Sequence, residues 1–497
     1  MRFNVLKSLL GLSVCVSFMT AHAQPSIQSD LLKTLKSFND YLTGTGLTNQ
    51  SCQKTLPQIM NELRGKDPRF FNLAQGVRDF DAILKESFAL KRNLRDQLKR
   101  LSQPGCVSAI REALVITRYF EDYFLVTTLE PVPFNAKTDA KAGPLLMSPK
   151  EALQSLNKTV TLRSGDLLLS RGNAYTSAAI ARIGQSPAQF SHLSQVFINA
   201  PVGTEISVAQ ALNDPRVFTI EAHIEVGSFT RSFAKYAQDG NARVALFRFR
   251  GQAKAAHQAA LSIFNYVTKY QRQSMQANNR SHYSVNDNPP YDFAMNSYDH
   301  SEIFCAEIIS MAYDAVGIRL PMFPTEMKQN DMTRTMGIRS KSTFAPADIE
   351  VDPNFDLIAE WRDLRKTPSI LKKDVALTAM YDWMQKHQYR FYYYPVDYIK
   401  AQIAWTARQL DLGFSERLPK NMEQKVVRLT FAIDRVGEKL ERELNEFEKR
   451  HRQSGRKFRP TYPEQMQALE QFRIKDAKAF KEDQRGLFHG FHHTFRK

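Results

Sequence analysis

The chain has 497 residues, of which 43% are hydrophobic and 24% charged, a composition that is ordinary for globular proteins. This length allows two or three hydrophobic cores. The formal net charge of +17 favours anionic surfaces, and in an exported protein these are phospholipid head groups or wall polymers rather than nucleic acid. The same surplus is equally typical of a solvated basic surface that only keeps the protein in solution.

Residues 1–23 have the pattern of a secretory signal peptide. Arg2 and Lys7 precede an apolar run from Leu9 to Met19, and Ala21-His22-Ala23 provides a cleavage site. The apolar run is too short to span a membrane, and no later apolar stretch reaches the required length. We therefore expect an exported, periplasmic protein that is soluble or peripheral to the membrane.

Export changes how the four cysteines are interpreted. Cys15 would leave with the signal peptide, and an oxidising compartment would allow one disulfide and one free thiol among the rest. Cys52 and Cys106 are the natural pair, because both lie in the N-terminal helical region. Cys305 is then the unpaired thiol. The simplest interpretation of a lone cysteine is a small buried hydrophobic residue, and a reactive nucleophile is the alternative.

The N-terminal part of the chain is predicted to be helical. Apolar residues recur at helical spacing from about Ser29 to Thr128, which indicates a small helical bundle within residues 24–143. Residues 129–143 contain two prolines and small polar residues, as linkers do. At 148–151, the sequence Ser-Pro-Lys-Glu predicts the start of a short helix with serine as its N-cap.

The pattern then changes to strands. Short apolar runs bounded by turn residues predict strands at 165–170, 193–198, 217–224 and 244–249. Helices are predicted at 253–275 and 301–315, the second ending at Gly317. Strands in the middle of the chain with helices on either side predict an α+β fold.

The last third of the chain, residues 346–497, is predicted to be helical and basic. Apolar residues recur every three or four positions from Val426 to Phe447, which predicts an amphipathic helix. Such a stripe is typical of a core-facing helix, and a partner-binding helix is the alternative. A loose group of histidines in the tail lacks settled ligand spacing, so we expect no metal and no cofactor.

Three residues form a candidate catalytic set. Cys305 lies at the start of the predicted helix 301–315, where unpaired backbone N–H groups and the helix dipole favour the thiolate. His192 lies on one predicted strand and Glu221 on the next, and a thiol, an imidazole and an orienting polar group are the parts of a thiol hydrolase. Because Glu221, His223 and Glu225 alternate onto one strand face, the sequence leaves open whether Glu221 or His223 orients His192.

In this order, these residues resemble the circularly permuted NlpC-like papain-fold hydrolases, the YaeF/YiiX group of permuted amidases. The matching segments lie between about Thr159 and Pro324 and are Leu162–Leu167, Phe190-Ser191-His192, Ile220-Glu221-Ala222, Tyr291-Asp292-Phe293 and Phe304–Ile308. The histidine precedes the cysteine, as the permuted topology requires. One departure is Cys-Ala-Glu-Ile in place of the more usual Cys-Ser-Glu-Leu.

The resemblance implies a permuted papain-like domain with an antiparallel sheet at residues 148–345, between helical regions at 24–143 and 346–497. It implies that Cys305 is the nucleophile, His192 the base and Glu221 the group that orients the imidazole. The backbone N–H of Cys305 would be one oxyanion donor. Tyr291 is a candidate for the second donor or for a wall of the pocket.

Three functions are compatible with these residues. The resemblance implies hydrolysis of an amide bond in a peptide or peptidoglycan-like substrate through an acyl-enzyme thioester. The second is lipid acyl hydrolysis or transfer, because the permuted branch also resembles lecithin retinol acyltransferase and related phospholipases, and the basic surplus and amphipathic C-terminal helices suit an anionic membrane. The third is a non-catalytic binding or scaffold protein, which a buried or disulfide-bonded Cys305 would favour. The sequence carries no signal for an oligomeric state.

Overall fold

The computed structural model describes residues 31–44, 46–61, 63, 78–129, 145–147, 160–296, 299–410, 421–456, 458–483 and 490–497. The expected signal peptide, almost all of the linker and the helix start at Ser148 lie outside the described residues. Among the helices that are described, none has the length and apolar character that crossing a membrane requires.

The helices of the described residues occupy both ends of the chain and the flanks of the sheet. They are α1 (Leu31–Thr43), α2 (Asn49–Asn61), α3 (Phe80–Gln97), α4 (Pro104–Leu129), α5 (Tyr175–Ile180), α6 (Val208–Ala211), α7 (Phe233–Gln238), α8 (Ala253–Ala277), α9 (Glu307–Asp314), α10 (Asp331–Met336), α11 (Thr367–His387), α12 (Pro395–Gln409), α13 (Gln424–Gln453) and α14 (Tyr462–Glu482). Short 3₁₀ turns lie at Val285–Asp287, Pro346–Val351 and Phe491–His493.

The strands concentrate in the middle of the chain. They are β1 (Leu145–Met147), β2 (Thr161–Leu162), β3 (Leu167–Arg171), β4 (His192–Ile198), β5 (Ile206–Ser207), β6 (Val217–His223), β7 (Gly227–Ser232), β8 (Arg243–Phe249), β9 (Thr325–Glu326), β10 (Ser342–Thr343), β11 (Phe355–Arg362), β12 (Arg390–Phe391) and β13 (Phe495–Arg496). Seven of them form one antiparallel sheet in the order β1-β11-β8-β3-β4-β6-β7. The fold is therefore α+β, as predicted.

Two expectations on element boundaries need correction. The helix predicted at 301–315 begins only at Glu307, because the backbone N–H of Ile303 donates to the carbonyl of Pro290 at 2.8 Å and holds this segment outside the helix. The sheet also continues beyond residue 345, since β11 pairs with β1 on one side and β8 on the other. The range 346–497 therefore contributes a strand to the sheet as well as helices.

The two faces of the sheet contribute to different apolar clusters. The main core joins one face to helices from both ends of the chain, and the apolar stripe of α13 from Val426 to Leu444 is buried in it. This finding confirms the core-facing interpretation of that stripe. The other face carries a smaller cluster that includes Val196, Leu246 and Trp361.

The N-terminal helices are joined to each other by a disulfide and to the sheet by ion pairs. A disulfide links Cys52 on α2 to Cys106 on α4. On α3, Lys91 donates to Glu121 of α4 at 2.7 Å and to Glu360 of β11 at 2.5 Å, and all three side chains are fully buried. Buried charges of this kind are tolerated only when they are paired, so this contact fixes how the helices sit against the sheet.

Candidate active site

His192, Glu221, His223 and Arg231 of the candidate site lie on three adjacent strands, β4, β6 and β7. Side chains of a strand alternate between its two faces, so His192 and Ser194 of β4 share a face with Val196, and Glu221 and His223 of β6 share one with Val217. Because β4 and β6 are antiparallel, the start of β4 adjoins the end of β6. The face that is apolar at one end of these strands therefore becomes polar at the other end.

Glu221 joins the two histidines. Its Oε2 lies 3.0 Å from His192 Nε2 and 3.0 Å from His223 Nε2, and the His192 and His223 rings meet edge to face with centroids 4.4 Å apart. Its Oε1 accepts from Thr219 Oγ1 at 2.7 Å and from Arg231 Nε at 2.7 Å. Glu221, rather than His223, thus occupies the position that orients His192.

The environment of Glu221 keeps its carboxylate ionised. Burial raises the pKa of Glu221. The hydrogen bonds from His192 and His223 and the charges of His223 and Arg231 lower it by more than this, so the net pKa lies well below the ordinary value. Ser194 Oγ and Arg231 Nη2 also donate to Oε2, at 3.2 and 3.0 Å. A fully buried anion is stable here because every lone-pair direction meets a donor.

His192 lies between Glu221 and Cys305. With Nε2 directed at Glu221, the ring leaves Nδ1 to face other groups, and the interaction with the thiol of Cys305 raises the pKa of His192. Burial and the neighbouring His223 lower the pKa of His192, whereas the hydrogen bonds with Cys305 and Glu221 raise it, and the net pKa is raised above the ordinary value. The arrangement therefore favours an imidazolium beside the sulfur.

Cys305 lies directly before helix α9. It is a free thiol, and the residue that follows it, Ala306, is the N-cap of the helix, so the sulfur lies one residue outside the helix rather than in its first turn. The N–H of Phe304 donates to Glu307 Oε2 at 3.2 Å. Within the described part of the chain, the backbone N–H of Cys305 has no hydrogen-bond acceptor, so it can donate to a substrate oxygen.

Tyr291 contacts the same thiol. Its side chain is buried and interacts with the thiol of Cys305. Burial, followed by the charges of Cys305 and Glu225, raises the pKa of Tyr291 well above its ordinary value, so the hydroxyl keeps its proton and can donate. Asn421 Nδ2 donates to the backbone carbonyl of Tyr291 at 2.7 Å and holds this segment in place.

All five residues that the sequence predicted for the site, Cys305, His192, Glu221, His223 and Tyr291, lie in this one cluster. Sequence reasoning missed Arg231. A weak indication of its role was present in the sequence. Arg231 is the charged residue of the short run Gly227–Ser232, which follows a turn after the strand that carries Glu221. In antiparallel hairpins such a residue faces the preceding strand.

The three residues His192, Glu221 and His223 also have the composition of a metal site. Their ligand atoms all lie within 4.8 Å of one another. The guanidinium of Arg231, however, donates two hydrogen bonds to the same carboxylate, at 2.7 and 3.0 Å. A fixed positive charge at this distance repels a divalent cation, so the donor set fits a hydrogen-bonded His-Glu-His arrangement better than a metal.

The exposure of the thiol bears on whether the site is catalytic. Cys305 is only 5% exposed, which favours the scaffold alternative, but it is not disulfide-bonded. The side chains of His192 and His223 are 18% and 26% exposed. The cluster therefore reaches solvent through its imidazoles, as a site that exchanges protons with a substrate must.

No protein-family model, no curated protein and no solved structure matches the chain. The chemical interpretation of the cluster thus depends on its own geometry.

Proposed function

We propose that the protein is an exported cysteine hydrolase whose permuted papain-like domain uses Cys305, His192 and Glu221 to cleave an amide bond. One observation carries the proposal: His192 hydrogen-bonds a fully buried carboxylate and interacts with the free thiol of Cys305, and both groups raise its pKa. The disulfide between Cys52 and Cys106 supports an oxidising compartment, in which an unpaired thiol elsewhere in the chain calls for a function.

The first half of the reaction forms an acyl-enzyme. The proton of the Cys305 thiol passes to His192 Nδ1, and the sulfur attacks the carbonyl carbon of the substrate. The carbonyl electron pair moves to the oxygen, which accepts hydrogen bonds from the Cys305 N–H and the Tyr291 hydroxyl. The C–N bond then breaks, the leaving nitrogen takes the proton from His192, and a thioester remains.

The second half returns the enzyme to its starting state. A water molecule gives a proton to His192, and the oxygen of this water attacks the thioester carbon. The C–S bond breaks, the carboxylic acid leaves and Cys305 regains its proton. Throughout, Glu221 holds the imidazole by Nε2 and stabilises its positive charge, as the third member of a catalytic triad does.

A peptide or peptidoglycan-like amide is the substrate that we propose, on the strength of the family resemblance. A second candidate, an acyl ester at a membrane surface, is favoured by one observation: the large apolar side chains of helix α12 are exposed. Turnover of paired amide and acyl-ester substrates, with Cys305→Ala as the background, decides between them. If neither is turned over, the scaffold function is favoured.

The test of the catalytic proposal is the rate of iodoacetamide labelling of the native protein. We expect His192→Ala to slow labelling at least about tenfold, because the imidazole no longer accepts the thiol proton. Cys305→Ala gives the background, and His257→Ala is a matched control, since this partly buried histidine packs on Phe197 away from the cluster. Equal labelling rates for the native protein and His192→Ala would contradict the proposal.

A further inference from the structure

Helix α12 reverses the usual placement of apolar residues. Its buried positions carry small or charged side chains, namely Asp397, Ala401, Ala404 and Arg408. Its large apolar side chains face outward: Val396, Tyr398, Ile399, Ile403 and, at its C-cap, Leu410, exposed by 47%, 49%, 59%, 61% and 63%. These are five of the nine exposed large hydrophobic residues in the described part of the chain.

The exposed residues form a continuous surface. Val396, Ile399, Ile403 and Leu410 are spaced by three, four and seven positions, which places them on one face of the helix. The inner face is held by polar contacts, since Asp397 accepts two hydrogen bonds from Arg435 of α13 at 2.6 and 2.7 Å. The helix is therefore fixed with its apolar side outward.

Cations and tyrosines border this apolar face. The guanidinium of Arg428 lies 4.5 Å from the ring centroid of Tyr398 and 5.9 Å from that of Tyr393. Lys400 projects from α12 itself and is exposed. Within the described residues, neither Arg428 nor Lys400 has a carboxylate partner, so their charge remains available to an external anion.

We propose that the outer face of α12 docks on the surface of an anionic phospholipid bilayer. Interfacial helices insert an apolar face at the boundary between head groups and acyl chains. Tyrosines are enriched at that level, and arginines and lysines beside them bind lipid phosphates. A protein partner could also cover an apolar stripe, but the unpaired cations at the border of this one match a layer of phosphates.

The inner side of α12 contacts the segment that leads to the candidate active site. Arg408, on the inner side of α12, donates a hydrogen bond to Asn286 Oδ1 in the 3₁₀ turn Val285–Asp287, shortly before Tyr291. The helix is thereby attached to the segment that contacts Cys305. Membrane binding itself needs no thiol chemistry, so the inference stands independently of the proposed hydrolase activity.

The test is cosedimentation of the full chain with vesicles of phosphatidylcholine, with and without phosphatidylglycerol. We expect binding to the anionic vesicles, and we expect Ile403→Asp to weaken it at least about tenfold, because the variant loses apolar burial and adds a negative charge next to anionic lipid. Ile474→Asp is the matched control, since Ile474 is 56% exposed on α14, and it should bind like the native protein. Lys400→Gln should weaken binding and reduce its dependence on salt.

Three results would overturn the proposal. The first is that the native protein binds neither kind of vesicle. The second is that Ile403→Asp binds as well as the native protein, or that Ile474→Asp loses as much affinity as Ile403→Asp. The third is a concentration-dependent dimer in analytical ultracentrifugation that Ile403→Asp abolishes while no vesicles are bound, which would assign the face to a second copy of the chain. Because the substituted positions are exposed, far-UV circular dichroism should show that all variants fold.

Discussion

Replacing Glu221 with glutamine isolates the contribution of its negative charge. The amide keeps the shape of the carboxylate but offers one acceptor oxygen, where Glu221 accepts hydrogen bonds from five side chains. Whichever way the amide turns, its nitrogen meets groups that donate to the carboxylate, either the two histidines at Oε2 or Thr219 and Arg231 at Oε1. We expect His192 to lose most of its preference for the charged form.

The size of the effect follows from the hydrogen bond that is lost. A hydrogen bond to a charged group contributes about 1.5–3 kcal/mol. At about 1.4 kcal/mol for each factor of ten, this energy lowers the population of the imidazolium–thiolate pair by a factor of roughly 10 to 150. Burial and His223 lower the pKa of His192, and Cys305 and Glu221 raise it. Without the charge of Glu221, only the interaction with Cys305 still favours the imidazolium.

Iodoacetamide labelling at slightly acidic pH measures this population, and the titration of His192 by NMR measures its pKa directly. The labelling rate and the pKa of His192 should both be lower in Glu221→Gln than in the native protein. Glu225→Gln is the matched control, because Glu225 acts on His223 and Tyr291 only through its charge. If Glu221→Gln folds normally and is labelled as fast as the native protein, Glu221 does not support His192 and the reasoning fails.

Other substitutions test the neighbouring groups. His223→Gln should raise the pKa of His192, because the charge of His223 lowers it in the native protein, and NMR titration checks this. Lys91→Met should destabilise the fold by about 1.5–3 kcal/mol in urea unfolding, since it removes one charged donor from two buried carboxylates that keep Arg118 and Arg362 as partners. Burial raises the pKa of Glu307 to about 7, so this carboxyl stabilises the fold when protonated and the stabilisation is lost as pH rises through that value. The stability of Glu307→Gln relative to the native protein should therefore increase as the pH rises from about 5 to about 8, measured in unfolding experiments. A stability difference that stays constant over this pH range would contradict the assignment.

The strands that local patterns specify were predicted well. The runs beginning near Gly165, Leu193, Val217 and Val244 became β3, β4, β6 and β8, because each is a short apolar segment between turn residues. Strand β11 was missed. Its partner β8 lies far earlier in the chain, and a pairing of that range leaves no local signal.

The site residues were predictable from their types and their order along the chain, whereas their geometry was not. The sequence predicted a helix from residue 301, but the hydrogen bond to the carbonyl of Pro290 keeps Ile303 outside the helix. The orientation of helix α12 also could not be predicted from the local sequence. Large apolar residues are normally assigned to the inner face, and here an ion pair between Asp397 and Arg435 decides which face is buried.

Arg231 completes the physical account of the site. A fully buried Glu221 would take up a proton if only neutral donors surrounded it, because burial disfavours its charge. The pairing of β6 with β7 places Arg231 opposite Thr219, within reach of both oxygens of Glu221. The hydrogen bonds from His192 and His223 and the cation supplied by the edge strand together keep Glu221 ionised, and the ionised carboxylate in turn favours the imidazolium of His192 beside Cys305. Arg231 is therefore a positioning residue, because it acts on the thiol only through Glu221 and His192.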